Sequence, residues 1–217
     1  MSARARRCRS GRFERRTEET DVKVIVRLDQ ATARADLDTP LPFLNHMLDQ
    51  LARHGGLGFE VRAAYTGERL PHHLVEDVGI ALGCALDQAL GDRSGIRRFG
   101  WALVPMDEVL IEAAIDLSGR GAFYGGDLSF SAVVTEGYDT AHAAEFLRAV
   151  AANARLTLHL GLRRHGNPHH EVEACHKAVA LALRQAVSLT GAGNEGRDPG
   201  NVPGRADPGV PSTKGVL

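Results

Sequence analysis

The chain has 217 residues, of which 43% are apolar and 24% are charged, and its net charge at neutral pH is −1. This composition predicts a soluble globular protein of one large or two small domains, and the near-zero charge argues against nucleic acid or an anionic membrane as a partner. No apolar run reaches the roughly 18 residues of a membrane span, and three cysteines without paired spacing predict a reduced, cytoplasmic protein.

The first 16 residues are rich in arginine and lack the apolar stretch of a signal peptide. We expect a flexible basic arm there, with residues 1–12 outside the folded part of the chain. The next segment, residues 13–97, predicts the order β-β-α-β-α. Its expected elements are strands at 22–27 and 32–37, a helix from 42 that stops at the glycine pair 55–56, a strand at 59–63 and a helix to about residue 90.

Residues 98–190 predict the same order again. The expected elements are strands at 109–117 and 122–130 with 101–104 as a candidate third, a helix at 140–153, a strand at 156–162 and a helix to about residue 189. Strands mixed with long helices favour an α+β fold. We therefore predict two pseudo-symmetric β-β-α-β-α halves, with helices on one face of each sheet.

The four-residue unit His-x-x-Glu, called a tetrad below, occurs twice with a further histidine directly before it, at His72, His73 and Glu76 and again at His169, His170 and Glu173. A histidine and a glutamate three residues apart lie on one face of a helix, so each pair can hold one cation. The first histidine of each doublet points about a quarter turn away and must serve something else. A single such pair is usually a solvated polar face, but a doubled histidine repeated before each helix-like stretch predicts two metal ions.

Beyond residue 190 the composition changes. Residues 191–211 are rich in glycine, proline and charge without periodicity, which is typical of a flexible segment. The chain then ends with Ser212 and Lys214 near Gly215, and a hydroxyl beside a lysine suits an oxyanion such as phosphate. This signal is weak by itself, because many tails contain serine and lysine.

Several segments together resemble the imidazoleglycerol-phosphate dehydratase family, the lyases of histidine biosynthesis. They are Thr17-Glu18-Glu19-Thr20, Phe43-Leu44-Asn45-His46-Met47-Leu48, the first tetrad with Asp77, Arg98-Phe99-Gly100, Pro105-Met106-Asp107-Glu108, Asp116-Leu117-Ser118-Gly119-Arg120, and the stretches 169–177 and 211–217. They follow the family's order over nearly the whole chain, apart from the N-terminal arm.

The resemblance implies a fold like that of ribosomal protein S5 domain 2. The implied reaction is dehydration of D-erythro-imidazoleglycerol phosphate to imidazoleacetol phosphate. The implied cofactor is Mn²⁺, two ions per active site, lying between the subunits of a homo-oligomer of 24 chains. The partner is then a small imidazole phosphate rather than a macromolecule.

The resemblance also implies ligand sets. One ion takes His46, His73, Glu76 and His169, and the other takes His72, His170, Glu173 and a residue from the helix that is equivalent to the one with His46. Where the family usually has a histidine for that last ligand, this chain has Glu145. Glutamate suits Mn²⁺, so Glu145 is the preferred prediction and His142, one turn earlier, is the alternative.

Three further departures mark a divergent member of the family. Asn45 replaces an aspartate that can orient a ligand imidazole, Leu74 replaces a common threonine, and His176 replaces an aromatic residue. None of them removes a direct metal ligand.

Catalytic and substrate-contacting roles follow from the same resemblance. Glu19 is the candidate acid–base residue, and Glu76 and Glu173 are weaker candidates because a metal-bound carboxylate is a poorer base. The residues implied to contact substrate are Glu19, His46, His54, His72, Arg98, Arg120, His169, Lys177, Ser212 and Lys214, of which Arg98, Arg120, Lys177, Ser212 and Lys214 serve the phosphate.

Two alternatives remain open at this point. A divergent paralogue could keep the metals and hydrolyse another phosphate ester, or it could be a non-catalytic shell protein assembled by metal. A di-iron helical bundle is disfavoured, because such bundles place glutamate before histidine and the strands here do not fit them.

Overall fold

The structure is a computed structural model, and it describes residues 8–30, 32–126, 128, 134–135 and 138–190. The first half contains β1 (Ser10–Arg16), β2 (Thr20–Arg27), β3 (Arg34–Asp38), α1 (Pro42–Gly55), β4 (Gly58–Tyr65) and α2 (Pro71–Leu90). The second half contains β5 (Phe99–Met106), β6 (Val109–Asp116), β7 (Ala122–Tyr124), β8 (Val134–Thr135), β9 (Tyr138–Asp139), α3 (His142–Asn153), β10 (Thr157–Arg164) and α4 (Pro168–Val187).

The two halves repeat one sheet topology. The strand orders are β1-β2-β4-β3 and β5-β6-β10-β7. In both sheets the first three strands are antiparallel neighbours and the last pair is parallel. The predicted α+β fold of duplicated halves is therefore confirmed, with one more strand than predicted in each four-stranded sheet, and the short pair β8–β9 precedes the first helix of the second half.

The extra strand of the first half lies in the segment that we expected to be a flexible arm. Strand β1 pairs with β2 along its whole length, from Ser10 opposite Arg27 to Arg16 opposite Asp21. Only Gly11 in this strand is buried, so β1 is an edge strand without the apolar alternation that reveals β2. The arm prediction is wrong for Ser10–Arg16, and residues 1–7 lie outside the described part of the chain.

The helices pack crosswise between the halves. Helix α1 contacts α4, and α2 contacts α3, while α2 and α4 also cover the first strands of their own sheets. The strand side chains that face the helices are fully buried, as Val22, Val24 and Val26 show. One continuous core results, because apolar faces of both sheets and all four helices bury one another.

Prolines fix where the two histidine-bearing helices begin. Pro71 and Pro168 occupy the first helical positions of α2 and α4, where a missing N–H has no intrahelical partner to lose. Both tetrads therefore lie in the first two turns of a helix rather than before it. Helix α1 ends at Gly56, whose φ of 66° is left-handed, as the glycine pair predicts.

Two glycines allow the first strand of each half to approach a helix closely. A Cβ on Gly11 would lie 2.0 Å from the carbonyl oxygen of Ala85 in α2, and a Cβ on Gly100 would lie 1.9 Å from that of Ala182 in α4. Because both obstacles are backbone atoms, no side-chain rotation can relieve them. Glycine is required at both positions by packing.

We expect Gly100→Ala to destabilise the protein by about 2–3 kcal/mol, since strand β5 must move away from α4 to make room. Chemical unfolding followed by circular dichroism measures this. Gly161→Ala on β10 is the matched control, because its Cβ would meet only the flexible side chain of Glu112, at 3.0–3.4 Å. Equal stability losses in the two variants would contradict the close strand–helix contact.

Candidate metal centre and active site

Histidine and carboxylate side chains gather at the N-terminal turns of α2 and α4. The tightest group joins α1 to α4: Nε2 of His46 and Nε2 of His169 each lie 3.1 Å from Oε2 of Glu173. Their ligand atoms all lie within 4.8 Å of one another. Two imidazoles and one carboxylate at this spacing can hold one divalent cation.

Glu173 is the centre of this group. Its side chain is only 9% exposed, and its other oxygen, Oε1, pairs with Nζ of Lys177 at 2.7 Å. Desolvation raises the pKa of Glu173, but the hydrogen bonds and positive charges of Lys177 and His46 outweigh it and lower the pKa to about 2. The carboxylate is therefore ionised at neutral pH, which is the form that binds a cation.

The first tetrad forms a looser group on α2. Nε2 of His72 lies 3.9 Å from Oε2 of Glu76, and the ring of His142 from α3 lies 5.3 Å from the ring of His72. His142 has a buried Nδ1 atom without a hydrogen-bond partner among the described residues. Desolvation lowers the pKa of His142, which keeps the imidazole neutral and able to act as a ligand.

A row of aromatic rings connects the two groups. Phe43 contacts His169 and Tyr138, with ring centroids 5.1 Å apart in both pairs. Tyr138 in turn contacts His142, at 5.8 Å, and His142 contacts His72. Because Phe43 and Tyr138 are fully or almost fully buried, the two groups are fixed relative to each other by the core.

The second histidine of each doublet is paired with a carboxylate from a hairpin turn. Nδ1 of His73 lies 2.9 Å from Oε2 of Glu19, in the turn between β1 and β2. Nδ1 of His170 lies 3.3 Å from Oε2 of Glu108, in the turn between β5 and β6. Asp107 lies farther from His170, at 3.7 Å.

This geometry differs from the predicted pairing inside the tetrads. We expected the histidine three residues before each glutamate to share its cation, but the histidine four residues before it is the neighbour in both copies. Both spacings lie on one helical face, and four residues leave the smaller angular offset. The structure thus groups Glu173 with His46 and His169, whereas the resemblance grouped it with His72 and His170.

The two candidates for the last ligand of the second group have different surroundings. Glu145 forms an ion pair with Arg148, with Oε1 2.5 Å from Nη1, while His142 lies against His72. The geometry therefore favours the alternative, His142. Asn45 donates to the carbonyl oxygen of Thr39 at 3.2 Å, and its Oδ1 has no hydrogen-bond partner among the described residues.

The residues predicted to bind the phosphate differ in their surroundings. Arg98 donates to Asp116 from two nitrogens, at 2.6 and 3.1 Å, and this pairing raises the pKa of the guanidinium. Arg120 is exposed. Ser212 and Lys214 lie outside the described residues.

His54 and Lys177 lie on the α1 and α4 sides of the Glu173 group. Nε2 of His54 lies 3.1 Å from Oε1 of Gln50. Desolvation, with the nearby charge of Lys177, lowers the pKa of His54. Lys177 contacts the candidate metal group directly through its ion pair with Glu173, and the substrate-contacting role of both residues stays a prediction.

Sequence reasoning missed the network that fixes the turn with Glu19. Asp77, which is buried, accepts hydrogen bonds from Arg15 at 2.7 Å and from the Thr20 hydroxyl. The Thr17 hydroxyl accepts from the backbone N–H groups of Glu19 and Thr20, at 3.2 and 3.0 Å. A Thr-x-x-Thr turn is a signal that could have indicated this, since threonine hydroxyls bond to nearby backbone.

His176 is fully buried three residues after Glu173. Nδ1 lies 2.7 Å from the carbonyl oxygen of Val172, the ring stacks on Phe146 at 5.7 Å, and Nε2 has no hydrogen-bond partner in the described part of the chain. Desolvation lowers the pKa of His176 to about 4. The group is therefore buried in its neutral form.

We expect His176→Phe to reduce the acid sensitivity of the fold. The histidine has a pKa of about 6.5 in the unfolded state and about 4 in the folded state. As the pH falls, the unfolded state therefore binds more protons than the folded state. The free energy of unfolding of the wild type is expected to drop by about 2 kcal/mol between pH 7 and pH 5 for this reason. The variant lacks this contribution. Urea unfolding at both pH values measures it, with the exposed His159→Phe as control. A wild-type pH dependence retained by His176→Phe would contradict the prediction.

No helix among the described residues is both long and apolar enough to cross a membrane. The duplicated α+β fold brings histidine and carboxylate groups together at equivalent helix starts, an arrangement that fits the class of enzymes able to hold divalent cations. A profile described as imidazoleglycerol-phosphate dehydratase matches residues 39–183. The chain belongs to the imidazoleglycerol-phosphate dehydratase family.

Relatives and solved structures agree with this assignment. Imidazoleglycerol-phosphate dehydratase of Granulibacter bethesdensis is 47% identical over 209 residues, which cover 96% of this chain and 99% of the relative. The enzyme of that name from Symbiobacterium thermophilum is 48% identical, and the match covers 96% of this chain and 93% of the relative. The crystal structure from Staphylococcus aureus has 35% identity and a TM-score of 0.72, covering 83% of this chain and 99% of its own. The Pyrococcus furiosus structure has 32% identity and a TM-score of 0.74, covering 94% and 100%.

Proposed function

We propose that the protein dehydrates D-erythro-imidazoleglycerol phosphate to imidazoleacetol phosphate in histidine biosynthesis. The observation that carries this is the convergence of His46, His169 and Glu173 from two helices, in a chain of this family. The hydrolase and the non-catalytic shell protein are not favoured, because relatives that span nearly the whole chain carry the dehydratase name.

The donor set fits two divalent cations, which we take to be Mn²⁺. Imidazole nitrogen mixed with carboxylate oxygen suits Mn²⁺, and Zn²⁺ and Fe²⁺ accept similar ligands. The first cation would be held by His46, His169 and Glu173. When bound, such cations act as Lewis acids that stabilise negative charge on the imidazole ring of the substrate.

The second cation would be held near the first tetrad, by His72, Glu76 and His142, with His73 and His170 as further candidate ligands. His142 replaces the Glu145 of the sequence prediction, because the carboxylate of Glu145 is already engaged by Arg148. The unpartnered Nδ1 of His142 supports this choice, since buried polar atoms normally have a partner.

We expect His142→Ala to lower the affinity for the second cation by about 10–100-fold or more, because losing a direct ligand exceeds the usual effect of losing an outer-shell partner. Glu145→Ala is expected to change affinity by less than about threefold, as it removes only an exposed ion pair. Titration of metal-free protein with Mn²⁺ compares them. The reverse order of effects would restore Glu145 as the ligand.

The chain's own groups would handle the phosphate and the protons. Arg120, Lys177 and, from the tail, Ser212 and Lys214 would bind the phosphate, with Arg98 holding the adjoining strand through Asp116. His54 would line the same side of the site. Glu19 would take the proton from the carbon beside the ring and return one to the departing hydroxyl, so that water leaves.

We also propose that the protein works as a homo-oligomer in the cytoplasm, with 24 chains as the family resemblance implies. Strand β5 presents Phe99, Trp101 and Leu103 on one face, 49–60% exposed, with Tyr124 on the same sheet at 56%. Exposed apolar patches of this kind mark contact surfaces. The three free cysteines fit a reducing compartment.

One assay tests the function against its alternatives. Manganese-loaded protein is incubated with imidazoleglycerol phosphate, and the products are separated. Formation of imidazoleacetol phosphate supports the dehydratase. Release of inorganic phosphate would instead indicate the hydrolase, and a metal-bound oligomer without turnover would indicate the shell protein.

A further inference from the structure

We propose that Glu108 is a positioning residue: it accepts a hydrogen bond from Nδ1 of His170, and so leaves Nε2 of His170 free for a divalent cation. This rests on the proposed metal-dependent function. Glu108 lies outside both tetrads, in the turn between β5 and β6, and neither the spacing of the tetrads nor the aromatic row involves it.

The carboxylate of Glu108 is held between two elements. Its Oε2 lies 3.3 Å from Nδ1 of His170, while Oε1 accepts the backbone N–H of Asn167 at 2.6 Å. Asn167 is itself the N-cap of α4, and its side chain accepts the backbone N–H of His169 at 2.9 Å. Glu108 therefore joins the hairpin to the helix cap, immediately before the histidine doublet.

The neighbouring backbone leaves space for this carboxylate. A Cβ on Gly166 would lie 2.2 Å from Oε1 of Glu108 and 2.6 Å from its Cδ. Any larger residue at position 166 would thus push the carboxylate away from Asn167 and His170. The glycine preserves the contact without itself touching the imidazole.

The first half repeats the arrangement with different residues. Glu19 lies in the turn between β1 and β2, which corresponds to the turn between β5 and β6, and its Oε2 lies 2.9 Å from Nδ1 of His73. In both halves the hairpin turn places a carboxylate beside Nδ1 of the second histidine of the doublet; the contact has hydrogen-bond geometry at His170 and is a close charge contact without that geometry at His73. A contact that occurs twice at equivalent places is set by the fold rather than by one surface side chain.

A hydrogen bond to one imidazole nitrogen decides how the other one can act. Histidines that bind metals usually donate the remaining N–H to a carboxylate, which fixes the tautomer and the ring orientation. Asp107 is the weaker candidate for this role, because it is 3.7 Å from His170 and its side chain is 74% exposed. Oε1 of Glu108 is committed to Asn167, so Oε2 is the atom that serves His170.

Titration of the metal-free protein with Mn²⁺ tests this assignment. Glu108→Gln keeps an oxygen for the Asn167 N–H but removes the charge beside Nδ1, and we expect one of the two cations to bind about 10–100-fold more weakly while the other is unchanged. Glu112→Gln is the matched control, because Glu112 lies on the following strand and pairs with Arg163 instead. Unchanged binding by a folded Glu108→Gln protein would overturn the proposal.

A second variant leaves Glu108 in place and moves it. Gly166→Ala should produce the same selective loss of one cation, since the added methyl group displaces the carboxylate. Nitrogen NMR of the imidazole rings in metal-free protein gives a readout that a merely structural role would not change. We expect His170 to carry its proton on Nδ1 in the wild type and to lose that preference in both variants; a proton on Nε2 in the wild type would overturn the proposal.

The outcome also separates this inference from the proposed function. Suppose that the wild-type protein binds two Mn²⁺ ions and turns over substrate, while Glu108→Gln and Gly166→Ala keep the wild-type metal affinity. This result would contradict the positioning role alone. A wild-type protein that binds no Mn²⁺ would contradict the proposed function and the positioning role together.

Discussion

Glu173→Gln is expected to lower the dehydration rate by more than about 1000-fold. Its carboxylate is the only group that contacts His46, His169 and Lys177 together within the described residues. Glutamine replaces one acceptor oxygen by an NH₂ group, which must then face either the two imidazoles or the ammonium group. Loss of several kcal/mol of transition-state stabilisation is the expected result, and each 1.36 kcal/mol is about a factor of ten in rate.

The measurement separates metal loss from loss of chemistry. Metal content and rate are determined for Glu173→Gln and for Glu60→Gln, which removes one carboxylate from the exposed pair with Arg27 and leaves the site intact. We expect Glu173→Gln to bind one cation fewer, even at high Mn²⁺ concentration. Two tightly bound cations in this variant would show that the group of His46, His169 and Glu173 is not a metal site.

The sequence predicted the parts of the fold that have local periodicity. Val22, Val24 and Val26 alternate because one face of β2 is buried, and the glycine pair 55–56 predicts the end of α1 because glycine accepts the left-handed cap conformation. Strand β1 was missed for the converse reason. It is an edge strand of charged side chains whose only buried residue, Gly11, has no side chain to reveal a pattern.

The residues of the candidate site could be proposed from the sequence, but their grouping in the fold could not. The two tetrads are visible because their ligands are close in sequence, whereas the partner of Glu173 depends on the packing of α1 against α4. The same holds for Glu108 and His170, which are brought together only when the β5–β6 hairpin meets the cap of α4. Distances between residues on different helices and strands depend on how the folded core packs, so the local spacing of residues along the chain does not predict them.

Glu19→Gln is expected to lower kcat by about 100- to 10,000-fold, the usual range for a lost acid–base group. Two hydrogen bonds fix the backbone of Glu19. Its N–H donates to the Thr17 hydroxyl at 3.2 Å, and its carbonyl oxygen accepts the Thr66 N–H at 2.9 Å. A carboxylate positioned by fixed backbone loses little freedom when the substrate binds. Glutamine keeps the shape but cannot take a proton.

Glu18→Gln is the matched control, because Glu18 lies in the same turn and is the neighbouring acid. Glu19 also touches Nδ1 of His73, so the variant can lose activity through weaker metal binding instead of through lost proton transfer. Assays at saturating Mn²⁺ distinguish the two causes: a rate that stays low with both cations bound identifies Glu19 as the acid–base residue. Recovery of the wild-type rate at high Mn²⁺ would reduce its role to orienting His73, the counterpart of what Glu108 does for His170.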